Sequence, residues 1–289
     1  MLIPADARRT LLVDGATVLP SFHSAEQLEA IDAELEPWLR QIAWSDTPGY
    51  ALRSRDKWLD HVGLCSPTLI RVALDERLLD FFASLFGEEP IVAEFSIHDS
   101  VTPNPELPFH SDRDGGLILY LMLTHMDASN GIFSFIPGTQ NDRRFFFVPD
   151  EEIAPRRDSI VPVVARRGDA VFFDQDIWHH RAAGGAGRRV VRLLYQPASR
   201  PAGAVDHLYR QTHLAGLSER QLRAYGIGQP PFQRPGRLAR IGRPFRREDI
   251  QTFIQYLRRF RQVDLRPAAP KSPKNVTADH LGPRIRVST

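Results

Sequence analysis

The chain has 289 residues, 42% apolar and 25% charged, with a formal net charge of +2. These values belong to packed globular proteins and exclude a disordered or collagen-like chain. The single cysteine, Cys65, excludes an internal disulfide, and no run approaches the ~18 apolar residues of a membrane span.

Met1–Arg9 carries no secretory pattern, so a soluble, cytoplasmic protein is expected, monomeric or homodimeric and without a membrane partner. The charge is uneven, since residues 201–289 hold 17 of the 37 basic but only 6 of the 35 acidic residues. Such a basic third reads first as a solvated face, and nucleic acid is not an expected partner.

Residues 11–19 predict a short strand broken at Asp14-Gly15. Ser24 and Gln27 then form a capping-box pattern, followed by the helical stripe Leu28, Ile31 and Leu35, which Pro37 ends or kinks. Residues 41–66 read as an irregular aromatic segment with Trp44, Tyr50 and Trp58. A helix is expected around 67–86, stopped by Gly87. From residue 90 the pattern changes to about seven short strands at all-β spacing: 90–98, 117–124, 132–136, 144–148, 160–165, 170–173 and 188–196. Asn130-Gly131 and Gly168-Asp169 mark turns.

The expected fold is therefore mainly β with flanking helices, a sandwich or barrel. One domain spans 1–265, with its core at about 90–197, a helical N-terminal part at 1–89 and a helical basic part at 200–265. Within the latter, Ser218 and Gln221 cap a short helix before Gly226, residues 228–247 form an irregular wrap, and Ile250–Phe260 form a helix. Residues 266–289 read as a flexible tail.

His110 and Asp112 stand two apart, so an extended strand sends both side chains to one face. A third imidazole comes from Ile177-Trp-His-His180. Two imidazoles and one carboxylate on a rigid sheet make the facial triad of non-haem Fe(II) oxygenases. Asp112 as a mere cap of the Arg113–Gly116 turn is the bland alternative.

The order of these segments resembles the phytanoyl-CoA dioxygenase family of Fe(II)/2-oxoglutarate oxygenases. The likeness rests on His110-Ser-Asp112 before an apolar strand, on Asn130-Gly-Ile-Phe-Ser-Phe-Ile-Pro-Gly-Thr139, and on Trp178-His179 after Gly168–Ile177. It also takes in the arginine-headed strand from Arg188 and the N-terminal Asp14-Gly15 segment, over roughly residues 11–197. Gln140 departs from a histidine common in the family.

The resemblance implies a double-stranded β-helix core of the jelly-roll or cupin type. It implies Fe(II), 2-oxoglutarate and dioxygen as cofactors, with succinate and carbon dioxide released. It selects His179 over His180 as third ligand beside His110 and Asp112. It gives Arg188 to the distal carboxylate of 2-oxoglutarate, with Arg192 and Arg189 as alternatives, and Tyr120 and Thr102 as further contacts. Because halogenating relatives lack the carboxylate ligand, Asp112 points to hydroxylation, or a related oxidation, of an unactivated C–H bond.

A small molecule of specialised metabolism is the expected substrate, with an acyl-CoA or carrier-bound substrate as alternative. The arginines at 234, 237, 240, 243, 246 and 247 would meet such an arm. Phe109, Phe133 and Phe135 would line the substrate pocket if they are not plain core. Non-catalytic 2-oxoglutarate binding and a zinc or manganese cupin-like enzyme are the competing readings.

Overall fold

The computed structural model describes residues 3–39, 45–49, 52–60, 62–100, 106–112, 115–142, 147–199 and 211–227. It also describes 103, 207 and the short pairs 233–234 and 237–238. Thr102, Trp44, Tyr50, most of the 144–148 strand, the 250–260 helix, four of the six C-terminal arginines and the tail lie outside the described residues.

The chain opens with a helix where a strand was expected: α1 (Ala5–Asp14) runs through Leu11-Leu12-Val13. It stops at Gly15, whose φ of 85° lets its N–H reach back to Leu11 O. Only then does β1 (Ala16–Leu19) begin. α2 (Ala25–Leu39) starts at the expected capping box, with Gln27 N donating to Ser24 Oγ and Ser24 N donating to Gln27 Oε1. Its buried stripe is Leu28, Ile31, Leu35 and Leu39, and Pro37 sits inside the last turn instead of ending it.

The segment expected to be irregular carries two strands, β2 (Ser45–Gly49) and β3 (Leu52–Asp60). The helix expected at 67–86 is two, α3 (Pro67–Ala73) and α4 (Glu76–Phe86). Asp75 breaks the run, because its carboxylate accepts from Arg77 N and caps the second helix.

The core strands follow: β4 (Pro90–Ser100), β5 (Leu107–His110), β6 (Leu117–Met122) and β7 (Phe133–Phe135). After the one-turn helix α5 (Asp150–Ile153) come β8 (Val161–Val163), β9 (Ala170–Asp174), β10 (His179–Arg181) and β11 (Arg188–Pro197). The short helix α6 (Glu219–Ala224) has the expected capping box at Ser218 and Gln221. Gln233–Arg234 pairs with Arg237–Leu238 inside the expected irregular wrap.

From β4 to β11 the strands alternate between two antiparallel sheets, ordered β1-β9-β6-β11-β4-β3-β2 and β5-β10-β7-β8, except that the consecutive strands β7 and β8 pair within the smaller one. That interleaving is a double-stranded β-helix of the jelly-roll type. Asp169 fixes one corner, accepting from Ser21 N at 2.8 Å and Arg166 N at 2.7 Å.

Parity on the strands divides the interior. On β11 and its neighbours, Val191, Leu193, Tyr195, Leu119, Leu121 and Phe172 pack outward under the helices. Val190, Leu194, Ile118, Met122, Val171 and Phe173 pack inward with Phe133 and Phe135 of the smaller sheet. A third cluster, Phe109, Ile136, Val148 and Trp178, covers the outer face of that smaller sheet.

Candidate metal centre

β5 and β10 are adjacent and antiparallel, with His110 directly across from His179. Both histidines therefore point to one face, and their ring centroids lie 4.1 Å apart. Phe109 and His180, one residue along on each strand, emerge on the opposite face and stack at 4.8 Å. There His180 Nε2 meets the Glu106 carboxylate at 3.0 Å. Alternation thus brings His179 into the interior and sends His180 and Phe109 away from it.

Asp112 follows two residues after His110, and its N–H donates to Gln175 O at 3.0 Å. The ligand atoms of His110, Asp112 and His179 all lie within 4.8 Å of one another, and both histidines are buried. Each Nδ1 lies 2.8 Å from a backbone carbonyl, Pro108 O for His110 and Ile177 O for His179. A carbonyl can only accept, so each Nδ1 carries the proton and each Nε2 offers a lone pair to the centre.

Electrostatics agree with a neutral imidazole at His179. Burial, together with the His110 ring, pushes His179 down to about 3, against the pull of Asp112. Burial raises the Asp112 carboxyl, but His179, His110, Arg192 and a Gln175 side-chain hydrogen bond hold it below the usual range. Two neutral nitrogens and one carboxylate oxygen converging on a common point fit a divalent transition metal.

The three arginines of β11 divide by parity. Arg188 is buried and faces inward, with Nη1 donating to Gly131 O at 2.6 Å. Arg189 faces the helices, where Nη2 lies 3.0 Å from Asp99 Oδ2 and Nη1 3.5 Å from Glu36 Oε2. Arg192 faces inward beside Tyr120, its register partner on β6, and forms a close ion pair with Glu94 of β4. Its Nη2 also lies 3.5 Å from Asp112 Oδ2.

Burial raises the Tyr120 phenol above its ordinary value, and Arg192, Asp112, Arg188 and Glu94 all act on it. Tyr120 packs with Phe173 and Phe133, and both of those rings reach His179. Ser96, His98 and Ser100 share the inward parity of β4, opposite Arg192, Val190 and Arg188.

Three contributors were missed from sequence: Glu94, Gln175 and the Gly131 carbonyl. An acidic residue at the inward parity of a core strand was the available signal for Glu94, because a buried charge demands a partner. Trp178 is a buried packing residue, with its indole N–H donating to Asp142 O at 3.0 Å. Gln140 ties down the end of α1, donating to Leu12 O and Val13 O at 3.0 and 3.2 Å.

The sequence profile of the family Phytanoyl-CoA dioxygenase (PhyH) matches residues 11–190. No curated protein sequence matches the chain. Among solved structures, HygX from Streptomyces hygroscopicus with nickel, 2-oxoglutarate and hygromycin B is similar at 15% identity and a TM-score of 0.55. The match covers 68% of this chain and 88% of that one. EctD from S. alaskensis with 2-oxoglutarate and 5-hydroxyectoine gives 21% identity and a TM-score of 0.58, over 84% and 88%. The non-heme alpha-ketoglutarate-dependent carbocyclase SnoK from nogalamycin biosynthesis gives 18% and 0.56, over 68% and 85%.

Proposed function

This chain belongs to the phytanoyl-CoA dioxygenase family and is a 2-oxoglutarate-dependent non-haem iron oxygenase; within that class, we propose that it hydroxylates an unactivated C–H bond of a small molecule of specialised metabolism. The observation that carries the reading is the convergence of His110 Nε2, His179 Nε2 and the Asp112 carboxylate inside the barrel. We assign these three as the iron ligands. The retained carboxylate favours hydroxylation.

Arg188 is assigned to the distal carboxylate of 2-oxoglutarate. It heads β11 on the inward face with its guanidinium held by the Gly131 carbonyl, whereas Arg192 is ion-paired with Glu94 and Arg189 points to the helices with Asp99. Its planar fork suits a bidentate carboxylate in an apolar setting. Tyr120, whose hydroxyl can donate, is assigned as a further contact to the same molecule, and so, from the family resemblance alone, is Thr102, which lies outside the described residues. Phe133 and Phe173 exclude water around the ligand histidines.

When bound, iron with 2-oxoglutarate and dioxygen supplies the oxidising power, with succinate and carbon dioxide released. The protein's own part is to fix the ligands, orient the co-substrate and hold one C–H bond near the metal. A small-molecule substrate is supported by neighbours of the fold that bind hygromycin B or 5-hydroxyectoine or serve nogalamycin biosynthesis. No helix among the described residues is long and apolar enough to cross a membrane. That and the single, buried Cys65 support a cytoplasmic placement.

The test is an anaerobic titration of the protein with Fe(II) and 2-oxoglutarate, followed in the visible range. Chelation by the co-substrate gives a weak charge-transfer band, which is expected in the wild type and lost in Asp112→Ala. A folded, iron-loaded protein without the band would refute the reading.

A further inference from the structure

A charge taken out of water is costly unless another charge answers it. Beside the triad, the barrel wall carries three such groups in a row. Glu94 grips Nη1 of Arg192, and Nη2 of the same guanidinium faces Asp112 Oδ2 at 3.5 Å. The other oxygen of that carboxylate, Oδ1, faces His110 Nε2 at 3.7 Å. The two oxygens of Asp112 are thus turned to different partners, one to the triad's centre and one to Arg192. Gln175 adds a side-chain hydrogen bond to the same carboxylate.

We propose that Arg192 is a positioning residue that, clamped by Glu94, holds Asp112 Oδ2 aside so that the carboxylate offers only Oδ1 to the metal. The inference rests on the triad being the metal site. A carboxylate that binds through one oxygen keeps more of the metal's positions open than one that binds through two, and an oxygenase needs those positions for co-substrate and dioxygen.

Arginine is suited to the task, because one rigid planar group addresses Glu94 with one nitrogen and Asp112 with another. Register fixes the arrangement, since Arg192 stands directly across from Tyr120 on β6 and from Ser96 on β4, one inward position from Glu94. Arg192 is thereby part of the metal centre and not a second carboxylate anchor.

Removing Arg192 alone would change both geometry and local charge, so the decisive variant removes the pair. Arg192→Met/Glu94→Met leaves the net charge beside the metal unchanged and abolishes the clamp. Co(II) serves as the probe, with calorimetric affinity and the d–d absorption as readouts, neither of which needs turnover.

Co(II) binding is expected to weaken by about 10-fold or more in the double variant, with an altered d–d spectrum, in line with the ~10–100-fold effect of groups that orient metal ligands. Arg192→Lys, which keeps the charge and loses the fork, is expected to fall in between. Wild-type affinity and spectrum in both variants would overturn the proposal, and in the lysine variant alone if the double variant does not fold. A wild-type protein that binds no Co(II), or an Asp112→Ala protein that binds it undiminished, would instead sink the metal-site reading.

Discussion

Acid should destabilise the metal-free protein through two buried histidines, in amounts that the structure sets. Burial, aided by the Arg77 charge and opposed by Asp75, lowers His23 to about 4. Burial and the His110 ring lower His179 to about 3. Unfolding returns each to its ordinary value of 6.5, so below that pH the unfolded chain binds the protons the native state refuses. The stability linked to each group is complete above about pH 6.5 and is lost as pH falls toward the folded values.

At pH 5 the loss is about 2 kcal/mol per histidine, or ~4 kcal/mol for both. That is a large share of a total of ~5–15 kcal/mol. Urea unfolding of metal-free protein at pH 7.5 and pH 5 measures it. His23→Gln and His179→Gln should each remove about 2 kcal/mol of the pH-dependent drop, whatever they do to stability at neutral pH. His207, lowered by burial against its bond to Val92, shifts the same way, so the difference between variant and wild type is the readout. Variants that show the full wild-type drop would refute the argument.

Three further outcomes follow from the site. His179→Ala should abolish metal binding while His180→Ala leaves it intact, because the latter side chain lies on the outer face with Glu106; calorimetry with Co(II) distinguishes them. Arg188→Ala should raise the 2-oxoglutarate requirement about 10–100-fold, the loss of a charge-assisted bond of ~1.5–3 kcal/mol, whereas Arg189→Ala should leave it unchanged; succinate formation against co-substrate concentration reports this. Gly184→Ala should mimic Arg188→Ala in part, since a Cβ at Gly184 would stand 1.9 Å from Gly131 N and displace the turn whose carbonyl Arg188 holds.

How much was legible in the sequence depended on how local each signal was. The two-residue spacing of His110 and Asp112 reads as strand parity, but β5 ends at His110 and Asp112 lies just past it, whereas the apolar run at 117–122 is a strand buried on both faces. Arg188 and Arg192 on one face and Arg189 on the other follow from the same rule. The strand edges failed for a physical reason. β2 and β3 carry polar sequences and join the larger sheet through main-chain pairing to β4, which leaves little side-chain pattern to read. α1 looked like strand because its apolar residues cluster at its end, where Gly15 is a helix stop and not a strand break. The Glu94–Arg192 pair joins residues 98 apart in sequence, and only the register of β4 against β11 brings them together.

The division of the site between two sheets explains why its parts could be read separately. The triad's histidines sit on β5 and β10 of the smaller sheet, while Arg188, Arg192 and Tyr120 sit on β11 and β6 of the larger one. Facing sheets stack about 10 Å apart, a gap that inward side chains narrow from both sides. On the assignment proposed above, a dicarboxylate held by the metal at one end and by Arg188 at the other would reach from one sheet to the other. Asp112 is the exception, because it lies just past the end of β5, where no ladder holds it. Its backbone is tied to Gln175, its outer oxygen faces Arg192, and Arg192 is tied to Glu94. The ligand with the least support from its own strand is thus the one braced by side chains from elsewhere, which is where substitution should disturb the metal without touching a ligand.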